Sequence, residues 1–158
     1  MENKQAGNMK FEEVIKKHLK HSKVKTILPN RKTQYSAGYD FYSKEEKILE
    51  PNTQHMFWTD VKVKTFYDYF LLLTIRSSLA VDGISLANCV AIIDSDYYNN
   101  ETNDGNIGIL LRNFGNVPVK ISEGQRIAQG ILMKYHETEH DKPLKWDVRV
   151  GGIGSTGK

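Results

Sequence analysis

Hydrophobic and polar residues alternate along this chain in short runs whose period is two far more often than 3.6. Gln54 to Lys64 closes on Val61-Lys62-Val63-Lys64, Phe66 to Ile75 is aromatic and then aliphatic, and Val90-Ala91-Ile92-Ile93 is a brief apolar run. Asn106 to Arg112, Val117 to Ile121 and Arg126 to Tyr135 follow the same habit, each bounded by Gly, Pro or Asn. Residues two apart share one face of a strand, so these runs predict strands with one side turned to a core. Many short strands with turn residues between them predict an all-β fold: a sandwich, a barrel or a jelly roll. Phe11 to Leu19 is the exception, since Phe11, Val14, Ile15, His18 and Leu19 stand at helical spacing. A short amphipathic helix and an edge strand compete for that segment.

Composition narrows the picture. At 158 residues the chain is expected to form one body, large enough to bury a core without disulfides or a structural metal. The formal charge of +3 is scattered, with Asp and Glu between the cations, so no nucleic-acid partner is expected and Lys16 to Lys25 reads as a solvated face. Cys89 is the sole cysteine, which excludes disulfide frameworks and Cys-based zinc sites; it is expected as a small packed hydrophobe in a reduced compartment. No stretch approaches about 18 uninterrupted apolar residues, and the first thirty carry charges throughout. A soluble, cytoplasmic protein without a membrane partner follows.

Candidate chemistry gathers in four places. Arg76-Ser77-Ser78-Leu79-Ala80 follows an apolar strand, so a guanidinium and two hydroxyls emerge together as donors suited to phosphate oxygens. Asn88 carries an amide that donates and accepts at once, as reading a nucleobase edge requires. Val90 to Ile93 then delivers Asp94-Ser95-Asp96-Tyr97-Tyr98 into a turn, where a carboxylate beside an aromatic ring suits a general base and a stacking surface. Ordinary readings stand beside these: turn-forming aspartates, a core tyrosine, a surface arginine. At the C-terminus, Gly152 to Lys158 spells the G-x-x-x-x-G-K of a phosphate loop. With no Ser or Thr after that lysine and no helix to follow, the expectation is instead either a flexible arm able to wrap a polyphosphate bound elsewhere or a plain disordered tail.

Taken together, Ser36-Ala37-Gly38-Tyr39-Asp40-Phe41, Arg76-Ser77-Ser78-Leu79-Ala80, Ile93-Asp94-Ser95-Asp96-Tyr97, Gly124-Gln125-Arg126-Ile127-Ala128-Gln129 and Gly151 to Gly157 resemble the five ordered motifs of the trimeric dUTP pyrophosphatases. The likeness runs from about Leu28 to the C-terminus, and five motifs in order are far more specific than any one. It implies a distorted jelly-roll or β-clip barrel over 31–148, an N-terminal extension over 1–30 and a glycine-rich arm over 149–158. The resemblance further implies that Asn88 reads uracil, that Tyr97 packs on the deoxyribose, and that Asp94 deprotonates a water attacking the α-phosphorus. Arg76, Ser77, Ser78 and Gln129 match positions that hold phosphate oxygens. Arg149, Ile153, Gly154, Ser155 and Thr156 would belong to an arm closing over the nucleotide. Magnesium would arrive chelated by the triphosphate, with Asp40 touching its water shell. The family builds each site from three chains, which implies a homotrimer.

This chain departs from the family pattern in places. Ile153 stands where the arm often has phenylalanine, Ile75 and Ser78 replace a common proline and glycine, and Tyr98 to Gly105 makes a longer polar loop after Tyr97. Chemistry weighs against three rivals, of which a basic single-stranded nucleic-acid binder fits the modest, scattered charge least. A dCTP deaminase of the same fold would need a glutamate where Leu110 stands, and leucine moves no protons. A non-catalytic nucleotide-binding regulator would have no need of Asp94. The resulting expectation is an enzyme that splits dUTP into dUMP and pyrophosphate.

Overall fold

Alternation along the chain is realised as antiparallel pairing throughout. The computed structural model describes residues 8–141 and Gly151, so Arg149, Ile153, Gly154, Ser155 and Thr156 lie outside the described residues. In chain order the strands are β1 (Lys10–Glu13), β2 (Tyr39–Tyr42), β3 (Lys47–Leu49), β4 (Gln54–Trp58), β5 (Val61–Lys64), β6 (Tyr69–Ile75), β7 (Ile84–Leu86), β8 (Ala91–Ile93), β9 (Gly108–Asn113), β10 (Val119–Ile121) and β11 (Arg126–Lys134). Among the described residues one short helix, α1 (Ser77–Val81), follows β6, and 3-10 turns lie at Lys16–His18 and Ser95–Tyr97. The main sheet has the order β2-β11-β6-β8, a second has β4-β9-β7, and the pairs β1-β5 and β3-β10 flank them.

One core fills the space between the sheets. Phe41, Leu71, Leu73 and Ala128 come from the main sheet and Phe57, Ile84, Leu86, Ile109 and Leu111 from the second, all fully buried or nearly so. Each large side chain among them contributes about 1.5–3 kcal/mol by leaving water. Gly130 lies where β11 runs over this core: a Cβ there would sit 2.8 Å from both Leu71 Cδ1 and Phe41 Cε2. Only glycine fits that crossing.

Some sequence-based elements come out differently. The Gln54 to Lys64 run is two strands, broken at Thr59-Asp60, where Asp60 takes a left-handed φ of 56° and its N–H donates to Asn106 Oδ1 at 3.0 Å. β4 stays in the second sheet while β5 pairs with β1, Phe11 opposite Val63. Phe11 to Leu19 divides the competing readings, with a strand first and a 3-10 turn after it. Lys62, outward by simple alternation, is buried because β1 and the 98–105 loop cover it. Its ammonium donates to Asp104 Oδ2 at 2.9 Å and Asn99 Oδ1 at 2.7 Å.

A second buried pair ties the N-terminal segment to the body. Asp60 accepts from Lys44 Nζ at 2.8 Å, from Asn106 Nδ2 at 2.9 Å, and from the backbone N–H groups of Lys20 and His21 at 2.8 and 2.9 Å. Burial alone pushes this carboxyl up, but those donors, the Lys20 N–H foremost, outweigh it and hold Asp60 below the usual carboxylate range.

Candidate active site

The phosphate-type donors converge on one end of the main sheet, and strand register explains how. Gln129 of β11 lies opposite Asp40 of β2 and Thr74 of β6, and cross-strand partners share a face. Arg76, two residues beyond Thr74, emerges on that same outer face. Arg126 and Gln129 are three apart and would point to opposite faces in a regular strand. β11 shifts register between Arg126 and Ala128, so that Arg126 pairs with Tyr42 while Ala128 pairs with Phe41. The extra residue, Ile127, restores Arg126 to the face of Asp40 and Gln129.

Asp40 is the hub of that end. Its carboxylate is 1% exposed. Arg76 donates to Oδ1 in a short contact and Arg126 donates to Oδ2 at 3.1 Å. Gly38 makes room for the neighbouring amide, since a Cβ there would meet Gln129 Oε1 at 2.7 Å and Gln129 Cβ at 3.2 Å. Arg76 also opens α1, accepting the Ala80 N–H at 3.1 Å, so buried Leu79 anchors a helix whose first residues, Ser77 and Ser78, are exposed beside it. The elements that carry Asp40, Arg76, Ser77, Ser78 and Gln129 thus bring them to one place.

Asp94 and Tyr97 are elsewhere. β8 pairs with β6 so that Ile93 faces Leu71, and this sets Asp94 near the start of β6 while Arg76 follows its end. At about 3.3 Å per residue the two Cα atoms are roughly 20 Å apart. Asp94 is exposed at the mouth of the 3-10 turn Ser95–Tyr97, in an open cleft of about 330 Å³ lined also by Tyr67, Ser95, Asp96 and Tyr135. The Tyr135 phenol is raised above its ordinary value by burial first and then by Glu137, Asp94, Asp68 and Asp96, so the cleft is electronegative. Tyr97 is 4% exposed and belongs to the core, its hydroxyl donating to the Asn106 carbonyl at 2.8 Å and accepting from Asn103 Nδ2 at 2.8 Å.

Asn88 sits exposed in the turn Ala87–Val90, which links β7 of the second sheet to β8 of the main one. Cys89 there has a φ of 65°, with the Val90 N–H donating to the Asn88 carbonyl at 2.7 Å. Cys89 is exposed, which corrects the expectation of a packed side chain: a turn this tight throws its central residue outward.

For a metal, the donor set is telling. Both Asp40 oxygens are already engaged by guanidinium groups, so a cation's water shell would compete with two positive charges for them. Asp40 is first of all the partner of two arginines, leaving only its remaining lone pairs for a magnesium-bound water, and among the described residues no cluster of three His, Cys, Asp or Glu could hold an ion. Arg126 stands in the Gly124 to Gln129 motif, but the sequence assigns it no role beside Asp40. Nothing in its spacing from Gln129 signals it, because the bulge that unites them is a tertiary feature.

The sequence profile of the dUTPase family matches residues 24–157. A deoxyuridine 5'-triphosphate nucleotidohydrolase of Lactococcus lactis subsp. lactis is 36% identical over 131 residues, covering 82% of this chain and 87% of the relative. One from Fowlpox virus is 38% identical over 136 residues, with coverages of 82% and 89%. Among solved structures, the dUTPase from Streptococcus mutans superposes with a TM-score of 0.71 at 32% identity, covering 82% of this chain and 98% of that one. The all-β, jelly-roll-like architecture is common to both.

Proposed function

The chain belongs to the dUTPase family, and from that premise we propose how its residues divide the work of splitting dUTP into dUMP and pyrophosphate. It is a dUTP diphosphatase. Asp94 takes a proton from the water whose oxygen forms the new bond to the α-phosphorus, while the bond from that phosphorus to the bridging oxygen breaks and pyrophosphate leaves. Exposure at a strand end leaves Asp94 open to such a water. Arg76, Ser77, Ser78 and Gln129 hold the phosphate oxygens and neutralise the charge that the reaction spreads over them. Asn88 reads the uracil edge, and Tyr97, fixed in the core by Asn103 and the Asn106 carbonyl, packs beneath the deoxyribose with the little of it that reaches the surface. Magnesium travels with the triphosphate. Arg149, Ile153, Gly154, Ser155 and Thr156 form the arm over the nucleotide.

One observation carries the quaternary part of this reading: the base and the phosphate donors of a single chain stand at opposite ends of the main sheet. The base must reach the α-phosphorus whose oxygens the donors hold, so with roughly 20 Å between them in one chain the reading draws the two from different copies. The outer face of the same sheet supplies a surface for such copies, since Phe70, Leu72, Ile92, Ile131 and Met133 lie there beyond the charged cluster, Ile92 being 58% exposed. Both features support a homotrimer with shared sites, as the family resemblance implies.

Pyrophosphate release from dUTP, UTP, dCTP and dTTP, measured side by side, tests the activity. Turnover is expected for dUTP with the other three slow. Ammonia released from dCTP at a comparable rate would instead assign the chain to the deaminases of this fold.

A further inference from the structure

We propose that Asp40 is a positioning residue, which together with Arg126 and the bulge at Ile127 sets the Arg76 guanidinium for the phosphates of the nucleotide. The inference rests on the assignment of Arg76 to those phosphates. Three observations carry it. First, the hub is rigid: Asp40 is buried, its N–H donates to the Asn30 carbonyl at 2.8 Å, and its neighbours Tyr39 and Phe41 are held in register by β11. Second, each carboxylate oxygen takes a different arginine, so neither guanidinium is consumed in a two-pronged pair. Arg76 keeps most of its five N–H donors for a ligand. Third, one negative charge set between two positive ones leaves the cluster net positive. Arg76 and Arg126 remain 27% and 40% exposed while Asp40 is sealed beneath them.

A fully buried one-to-one pair would hide both partners and leave no surplus charge. Here the carboxylate is hidden and the cations face outward beside Gln129 and Ser77. A flexible arginine must be ordered before it grips an oxyanion, and a tether that orders it in the free protein removes that cost from binding.

Asp40→Asn alone would leave two adjacent guanidiniums uncompensated and endanger folding, so the decisive protein is the charge-balanced Asp40→Asn/Arg126→Gln double variant. It keeps the cluster at one positive charge and removes only the tether. Once wild-type hydrolysis of dUTP is established, which checks the parent reading separately, kcat/KM of the double variant should fall about 10- to 100-fold, as a misplaced binding group costs. Inhibition by pyrophosphate should weaken in parallel, while affinity for deoxyuridine, which has no phosphates, stays the same. In an Arg76→Ala background the same two substitutions should change kcat/KM by less than about twofold, since groups acting through one residue are not additive. An unchanged kcat/KM in the double variant would overturn the proposal. So would an equal loss in the Arg76→Ala background, or a matching loss of deoxyuridine affinity.

Discussion

At the scale of single residues, what matters is which side chains the backbone leaves available. Asp94 stands exposed at the end of an apolar strand, so replacing it by asparagine should lower turnover about 10²- to 10⁴-fold with nucleotide binding largely kept. Comparing kcat with a directly measured nucleotide Kd checks this. Gly38 has the opposite character: it does nothing itself but yields space to Gln129. Gly38→Ala should push that amide off the phosphates and raise KM for dUTP roughly tenfold, as a modest misplacement does, with a near-normal melting temperature. The order of the motifs marks Asp94, Arg76, Ser77 and Gln129 as candidates, and strand register brings Arg76 and Gln129 to one end of the main sheet. The Arg126 contribution was not legible in the sequence, since it depends on one extra residue in a strand.

Among elements, the polar loop 98–105 shows how a feature without apparent purpose in sequence acquires one in the fold. It lies over β1 and β5, with Tyr98 donating to Glu12, Asp104 paired to Lys62, and the Ile15 N–H donating to Asp104 at 2.7 Å. Burial and the Glu12 hydrogen bond push the Tyr98 phenol from 10 up to about 12. A raised value favours the protonated form in the folded protein, so the stability Tyr98 lends is complete below pH 10 and is lost as pH climbs through about 12. The melting-temperature gap between wild type and Tyr98→Phe should therefore be constant from pH 7 to 9 and close above pH 10. A gap that persists at pH 12 would mean the phenol proton has no part in docking β1. The strict alternation of Val61 to Lys64 predicted Lys62 in solvent; a loop forty residues away in sequence covers it, and no local pattern encodes that.

For the whole molecule, the separation of Asp94 from Arg76 makes a prediction that a single-chain site cannot share. Asp94→Asn and Arg76→Ala proteins, each nearly inactive, should regain activity when unfolded together and refolded. With random assortment into trimers, roughly a quarter of the sites receive one intact Asp94 and one intact Arg76 from different chains. Mixtures that stay as inactive as their components would exclude shared sites. Light scattering on the wild type should give three times the chain mass. Removing Gly151 to Lys158 should cut turnover severely without changing that mass; near-normal hydrolysis by the shortened protein would deny the arm its part.

The chain's own text determined the class of fold, most of the long strands and the identity of the chemical groups, because period-two burial, turn residues and motif order are all local or linear properties. Tertiary structure alone decided where those groups stand. The break at Asp60, the cover over Lys62, the bulge at Ile127 and the hub at Asp40 each arise from contacts between segments distant in sequence, where hydrogen bonding and burial override the local pattern. The distance that keeps Asp94 from Arg76 is likewise set by strand pairing, and so belongs to the fold rather than to any motif.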